Sequence, residues 1–415
     1  MDFFPALALA SSDVTLPLTI FLVFGAAKVM EDVMERLKVP GIVGNMVAGL
    51  IVGPPVLGWV KPHEFLTALA ELGVMFLLFQ VGLHVKASEL MKVGATATVT
   101  ALLGVAVPFV AGWGILRLWG EPQIESIFVG AAMVATSVGI TARVLAERGF
   151  LSLRASKIIL AAAVIDDVVG LLVLALVSGL AKGKVNYAEL ATTAALAIGF
   201  TILVAKWGTH AVSRIVKRTE NLNVSESQFA LSMVMLFGLS VVSVYMGVAA
   251  IIGAFLAGMA LSENVNERVH DLVFGVSELL VPFFLAGIGM HVDLSALNNW
   301  STALLAVVVL VAAVLSKVVG CGLGAWNLGR VDAFRIGVGM VPRGEVGMVV
   351  AQIGLGLGVV SRDIYGVVVF MAVMTTVVAP AMLKWAYRGA EAEAASAGNE
   401  PAQEMSHEKT SASRS

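Results

Sequence analysis

The stretch from Ser156 to Gly183 limits what this chain can be. It is almost wholly apolar and long enough to cross a bilayer, yet it carries Asp166 and Asp167 side by side near its middle. The hydrocarbon core of a membrane takes about 20 apolar residues as a helix. A carboxylate near its centre costs roughly 2.5–3.5 kcal/mol on insertion scales. Two in a row at that depth call for a reason. One is that a partly buried, partly hydrated carboxylate holds either a proton or a desolvated cation, with the two in competition. The other is a structural ion pair that anchors a neighbouring helix. Adjacent residues on a helix point about 100° apart, so the two side chains need not share a role, and at least one is read as an ion or proton site.

The rest of the chain agrees with a membrane setting. Hydrophobic residues make up 58% and charged residues 13%, against about 25% charged in soluble domains, which excludes a soluble globular class. The 42 glycines suit helix packing in lipid, where small residues let backbones approach. A single cysteine, Cys321, excludes an intramolecular disulfide and a Cys-rich metal site and reads as a packing residue. No cofactor and no nucleic-acid partner is expected. The N-terminal MDFFPALALASSDV has no basic region ahead of its apolar part and does not read as a cleaved signal peptide.

Windowed apolarity predicts an all-α polytopic membrane protein with about thirteen transmembrane helices, at 15–35, 40–58, 65–84, 90–117, 123–147, 154–181, 188–212, 225–246, 248–263, 272–291, 299–328, 333–356 and 362–386. Residues 1–14 form a short N-terminal segment, and 389–415, polar and poor in apolar residues, read as a disordered cytoplasmic tail. Of the 27 Lys and Arg, nineteen fall on the side of the first connection, Arg36, Lys38, Arg148 and Arg154 among them. Five fall on the other, at Lys61, Arg117, Lys182, Lys184 and Arg362. The excess of basic residues marks the cytoplasmic side, which puts the N-terminus outside and the C-terminus inside. The remaining three, Arg143, Lys317 and Arg343, lie within spans.

An internal repeat is visible. ELGVMFLLFQVGLHVKASEL at 71–90 lines up with ELLVPFFLAGIGMHVDLSAL at 278–297, matching Glu71 with Glu278, Gly82 with Gly289, His84 with His291 and Ser88 with Ser295 at a spacing of 207 residues. The same spacing sets Gly130 on Gly337, and a spacing of 209 sets Gly44 on Gly253. Span 3 thus matches span 10, seven crossings later. An odd number inverts one half relative to the other, the plan of many secondary transporters, whose sites lie near the midplane where the repeats meet. The matched Glu71 and Glu278, with His84 and His291, read as interface or dimer-contact groups near span ends.

In each half the fifth span carries helix-interrupting residues: Ala135-Thr136-Ser137-Val138-Gly139 in one and Val341-Pro342-Arg343-Gly344-Glu345-Val346-Gly347 in the other. Proline removes a backbone donor and glycine weakens a helix. Helices broken at equivalent places in inverted repeats point to a transport site, because half-helix ends expose backbone dipoles there. Lys317 is apolar-flanked for over a turn on both sides, so it cannot snorkel to an interface and should pair with a carboxylate. One Asp of the pair is the natural partner, which leaves the other for an ion. Arg343 and Glu345 read as compensating the half-helix ends and each other.

The runs VATSVGITARVLAERG, AAAVIDDVVGLLVLA, AVLSKVVGCGLGA and GVGMVPRGEVGMVVAQIG resemble the consecutive core motifs of the monovalent cation:proton antiporter superfamily, most closely its NapA and GerN-type branch with an Asp-Asp pair. The resemblance covers about residues 15–388. It implies a homodimer, two inverted repeats with crossed broken helices, and a protomer of two parts. Spans 4–6 and 11–13 would be the moving transport core, spans 1–3 and 8–10 the dimer and gate domain, and span 7 a linker. It further implies that Asp167 is the ion- and proton-binding carboxylate, Asp166 its companion, and Lys317 the companion's partner. Thr136 and Ser137 correspond to polar residues at the unwound crossing.

The function implied is secondary active exchange of a monovalent cation bound at Asp167, Na⁺ first with Li⁺ and K⁺ open, against protons. It would run by elevator-type alternating access in the cytoplasmic (inner) membrane, electrogenically, and not as an enzyme. A Kef-type K⁺ efflux protein or K⁺:H⁺ exchanger is the alternative, but glutathione-gated members carry a nucleotide-binding domain after the membrane part, and no GxGxxG follows the last span here. An intramembrane aspartyl protease is a further alternative; it needs two carboxylates facing one another, whereas neighbours on one helix diverge.

Overall fold

The computed structural model describes residues 12–37, 39–183, 187–219, 227–291 and 299–390. The expected N-terminal segment before residue 12, the tail beyond 390 and the side chain of Glu345 lie outside the described residues. All regular structure among the described residues is helical, which satisfies backbone donors and acceptors within each segment, as lipid demands. The first half runs α1 (Ser12–Arg36), α2 (Gly41–Val52), α3 (Glu64–Leu83), a short α4 (Ala87–Lys92), α5 (Gly94–Trp119), α6 (Gln123–Val134), α7 (Val138–Glu147) and α8 (Arg154–Ala181). Then follow α9 (Tyr187–Thr219), α10 (Ser227–Tyr245), α11 (Ala250–Leu261), α12 (Glu267–Met290), α13 (Trp300–Gly324), α14 (Arg330–Gly339), α15 (Gly344–Gly356) and α16 (Arg362–Ala386).

Each of the thirteen expected spans falls on one helix or, at spans 5 and 12, on a pair: α6 with α7, and α14 with α15. Among the described residues eight stretches, with α6 and α7 taken together, are long and apolar enough to cross a membrane, and four shorter apolar helices accompany them. Spans 2 and 9 come out as helices of only 12 residues each. α2 has 12 residues and stops at Val52, ahead of Gly53-Pro54-Pro55, where proline ends helical pairing. α11, its repeat mate, also has 12 and begins after Gly247, whose φ of +76° turns the chain.

The repeat reappears as pairs of glycine contacts. A Cβ on Gly49 of α2 would overlap the carbonyl of Ala286 on α12, and one on Gly289 of α12 would overlap that of Met46 on α2. The repeat carries Gly49 onto Gly258 and Gly289 onto Gly82. These two glycines meet the carbonyls of Phe79 and Phe255 in the same way, joining α3 to α11. Likewise Gly44 abuts the Met30 carbonyl and Gly253 that of Leu239; Gly130 abuts Phe109 and Gly337 abuts Val318. Two packing groups result. α1–α3 pack with α10–α12, and α5, α6 and α8 pack with α13–α16; α9 touches both α8 and α11. The described contacts between the two groups run mainly through α7, which lies against α3 on one side and α16 on the other.

Candidate functional site

The two broken pairs meet. α6 ends at Val134 and α7 starts at Val138; α14 ends at Gly339 and α15 starts at Gly344. The interruptions are therefore shorter than the sequence motifs that mark them, and Val138, Gly139, Val346 and Gly347 are helical. Between them the extended segments touch: the backbone N–H of Ser137 donates to the carbonyl of Pro342 at 2.8 Å. Thr141, one turn into α7, donates its hydroxyl to the Gly339 carbonyl at 2.7 Å and so satisfies the end of α14.

Gly344 is required here for a reason that helix weakness does not capture. Its φ is +53°, and a Cβ on it would stand 2.5 Å from Cβ and Oγ of Ser137. Any side chain would be strained and would push the segments apart.

Arg343 is fully buried at this crossing. Its Nη1 donates to the Ala135 carbonyl at 3.1 Å and its Nη2 to the Ala313 carbonyl of α13 at 2.9 Å. Ala135 is the residue after the last turn of α6, so the guanidinium sits on the negative end of that half-helix, where a cation is favourable. This is the end at which the sequence led us to expect charge compensation.

Asp166 and Lys317 are brought together. Lys317 Nζ on α13 lies 3.2 Å from Asp166 Oδ1 and 3.4 Å from Oδ2 on α8, both side chains wholly shielded from solvent. Beside the pair, Gly104 of α5 makes room for Cys321, one turn beyond Lys317: a Cβ on it would be 2.6 Å from Cys321 Sγ, but 3.5 Å, an ordinary contact, from Lys317 Nζ. A buried pair like this is held by mutual attraction against a desolvation penalty of several kcal/mol per ion, so losing one partner strands the other.

Asp167 points elsewhere. It is half-buried and lines a small cavity with Leu78 of α3, Val138 of α7, Leu160 and Val164 of α8, and Ile252 and Phe255 of α11. Both packing groups therefore contribute walls. The space for the centre of a water-sized sphere is about 10 Å³, near the least that holds one water. Thr136 and Ser137 are buried in the crossing, and Thr136 Oγ1 has no hydrogen-bond partner among the described residues. A buried hydroxyl left unsatisfied is costly and is a ready oxygen ligand.

Arg143 is the intramembrane charge whose partner the sequence does not reveal. Its guanidinium pairs with Glu278 on α12, and its Nε donates to Glu147 Oε1 at 2.6 Å. Lys28 of α1 lies 3.5 Å from the other oxygen of Glu278 and 2.9 Å from Glu31. Glu278 thus makes its contacts within one protomer, while its repeat mate Glu71 is exposed beside an outer cavity. His84 and His291 do matching local work: each Nδ1–H donates to the carbonyl four residues back, Gln80 at 2.9 Å and Gly287 at 2.7 Å.

With that geometry in place, the comparisons decide the family. Residues 18–389 match the protein family described as sodium/hydrogen exchanger, transmembrane. The chain belongs to this family. It is similar to the Na⁺/H⁺-K⁺ antiporter GerN of Bacillus cereus, 33% identical over 376 residues that cover 89% of this chain and 95% of that protein. The high-affinity Na⁺/H⁺ antiporter NhaS3 of Synechocystis is 32% identical, with 91% of each chain covered. Among solved structures, the sodium proton antiporter MjNhaP1 of Methanocaldococcus jannaschii shares the fold, with a TM-score of 0.63, 18% identity, and coverage of 91% of this exchanger-family chain and 97% of that one.

Proposed function

We propose that this sodium/hydrogen exchanger family member is a secondary active antiporter that exchanges Na⁺ for protons at Asp167, with Asp166 and Lys317 as its charge-coupling pair. The observation that carries the reading is the buried Lys317–Asp166 ion pair next to a half-buried carboxylate, at the crossing of two broken helices. An aqueous proton and a dehydrated cation compete for Asp167, and Thr136 offers the cation an oxygen. Asp166 is committed to Lys317, which argues against a pair of carboxylates sharing one proton and hence against the protease reading. Relatives that are transporters support a non-enzymatic role.

In this reading α5–α8 and α13–α16 form a core that carries the site past α1–α3 and α10–α12, and two copies associate through the latter. The small cavity at Asp167, walled by both groups, supports exchange of access by their relative movement. The concentration of basic residues on one face supports a cytoplasmic C-terminus and placement in the inner membrane. K⁺ is kept as a second cation because the relative GerN is a Na⁺/H⁺-K⁺ antiporter.

Purified protein in liposomes with a trapped pH dye tests the proposal. Na⁺, and more weakly Li⁺ or K⁺, is expected to drive proton movement, and Asp167→Asn, close in volume but unable to exchange a proton for a cation, is expected to abolish it while the protein stays folded. Exchange at the unmodified rate in Asp167→Asn would remove that residue from the mechanism.

A further inference from the structure

We propose that Arg143 and Glu278 are the gate residues of the pathway on its basic face, an ion-pair latch that holds α7 to α12 and biases the empty protein toward the state closed on that side. The proposal rests on the antiporter reading for the movement of the core and for which side is cytoplasmic.

The geometry places the latch between the site and the exterior. α7 starts at the crossing, and Arg143 lies about one and a half turns further along it. Arg143, Glu147 and Glu278 line a cavity of about 690 Å³ with Leu77, Gln80 and His84, whereas Leu78, the next residue of α3, lines the small cavity of Asp167. The pair thus lines a vestibule whose α3 wall includes Leu77, the neighbour in sequence of the Leu78 that walls the site. It joins the two packing groups, with Arg143 on α7 and Glu278 on α12, and Lys28 of α1 supports Glu278 from behind. Sliding of α7 along α12 separates the charges, so the pair forms in one state of the cycle and not the other.

The repeat shows that the latch is one-sided. Glu278 corresponds to Glu71, but Arg143, moved by the same 207 residues, corresponds to Val350. The opposite cavity, about 340 Å³, holds Glu71 among largely apolar residues such as Phe283, Phe284 and Met348. Two halves alike in backbone therefore differ in how their gates are fastened, and an ion pair on one gate alone shifts the balance between states.

The test reads accessibility rather than transport. In a Cys321→Ser background, Leu78→Cys reports on the Asp167 cavity, labelled by a charged, membrane-impermeant maleimide applied to right-side-out or inside-out vesicles. A coupling energy of usual size changes a two-state balance by about tenfold. Glu278→Gln and Arg143→Gln should each speed labelling from the basic face by that factor, and the double variant should gain no more than either, since one break already opens the latch. Lys28→Gln, the mildest change, should raise the rate by roughly twofold; it decides the matter if a latch variant fails to fold. Unchanged rates in the single variants, additive rates in the double, or no response to Lys28→Gln where that variant decides would overturn the proposal. Failure of the antiporter reading shows separately, as unmodified protein that does not exchange Na⁺ for protons whatever the labelling does.

Discussion

Lys317 meets both oxygens of Asp166, at 3.2 and 3.4 Å, inside a shell that admits no solvent to either side chain. In the antiport proposed above, a cation arriving beside Asp167 would compete for Asp166, and Lys317, losing its counter-charge, would give up its proton, so that two protons would leave for each monovalent ion taken.

Exchange of that kind moves net charge. Lys317→Gln should keep part of the Na⁺-driven proton flux but lose its response to an imposed membrane potential, measured with a K⁺ gradient and valinomycin. Electroneutral exchange by the unmodified protein would sink the two-proton scheme and leave antiport standing.

Thr136→Val tests the unsatisfied hydroxyl at the crossing. Valine keeps the branched shape and removes the oxygen. Loss of one ligand is worth about 1–2 kcal/mol, so the apparent KM for Na⁺ should rise roughly tenfold with the maximal rate little changed. A KM that does not move would exclude Thr136 from the cation's shell.

A covalent tie between the packing groups should stop transport. The side chain of Val74 on α3 comes within 3.2 Å of where a Cβ on Gly139 of α7 would stand, within reach of disulfide geometry. In the Cys321→Ser background, oxidised Val74→Cys/Gly139→Cys should be inactive and recover with reductant. Undiminished exchange by the crosslinked protein would end the moving-core reading.

Tyr387, just past α16, anchors the end of the chain's last described helix. It is hydrogen-bonded to Ser156 at 3.2 Å, stacked on Phe150 with ring centres 5.3 Å apart, and capped by the Arg335 guanidinium. Tyr387→Phe keeps the ring contacts and drops the bond, which should cost about 1 kcal/mol, read as a small fall in thermal midpoint in detergent. Burial pushes the phenol's pKa up, so its contribution is whole below the ordinary tyrosine value of about 10 and is lost only as pH rises beyond it. A loss of the Tyr387 contribution between pH 6 and 8 would contradict this.

Much of this was legible in the chain. Apolar length gives the spans, because backbone groups in lipid have few ways to be satisfied. The 207-residue echo of Glu71, Gly82 and His84 exposes the repeat. Lys317 had to find a carboxylate, and the structure shows which one, because only packing decides which of two adjacent side chains faces α13. Arg143 with Glu278 could not be read off: their partnership spans 135 residues and depends on how two helix groups abut. Gly344 was visible only as a helix weakener, since its closeness to Ser137 is a property of the crossing. α2 and α11 came out short because apolarity continues past the residues that end a helix.

The glycine contacts have a further consequence for wear and variation. Within each packing group several joints set a glycine against a neighbouring backbone carbonyl, as Gly49 against Ala286 or Gly130 against Phe109. Gly139, which looks across the boundary from α7, has side-chain atoms of Val74, Phe284 and Leu77 as its nearest neighbours. Backbone against backbone behaves like a keyed joint, with no freedom to re-register. Side chains that hop between rotamers act as a lubricant. One added methyl group at a keyed joint should therefore cost the whole frame, whereas exchange of one aliphatic residue for another along the lubricated seam should change only the friction, and with it the speed.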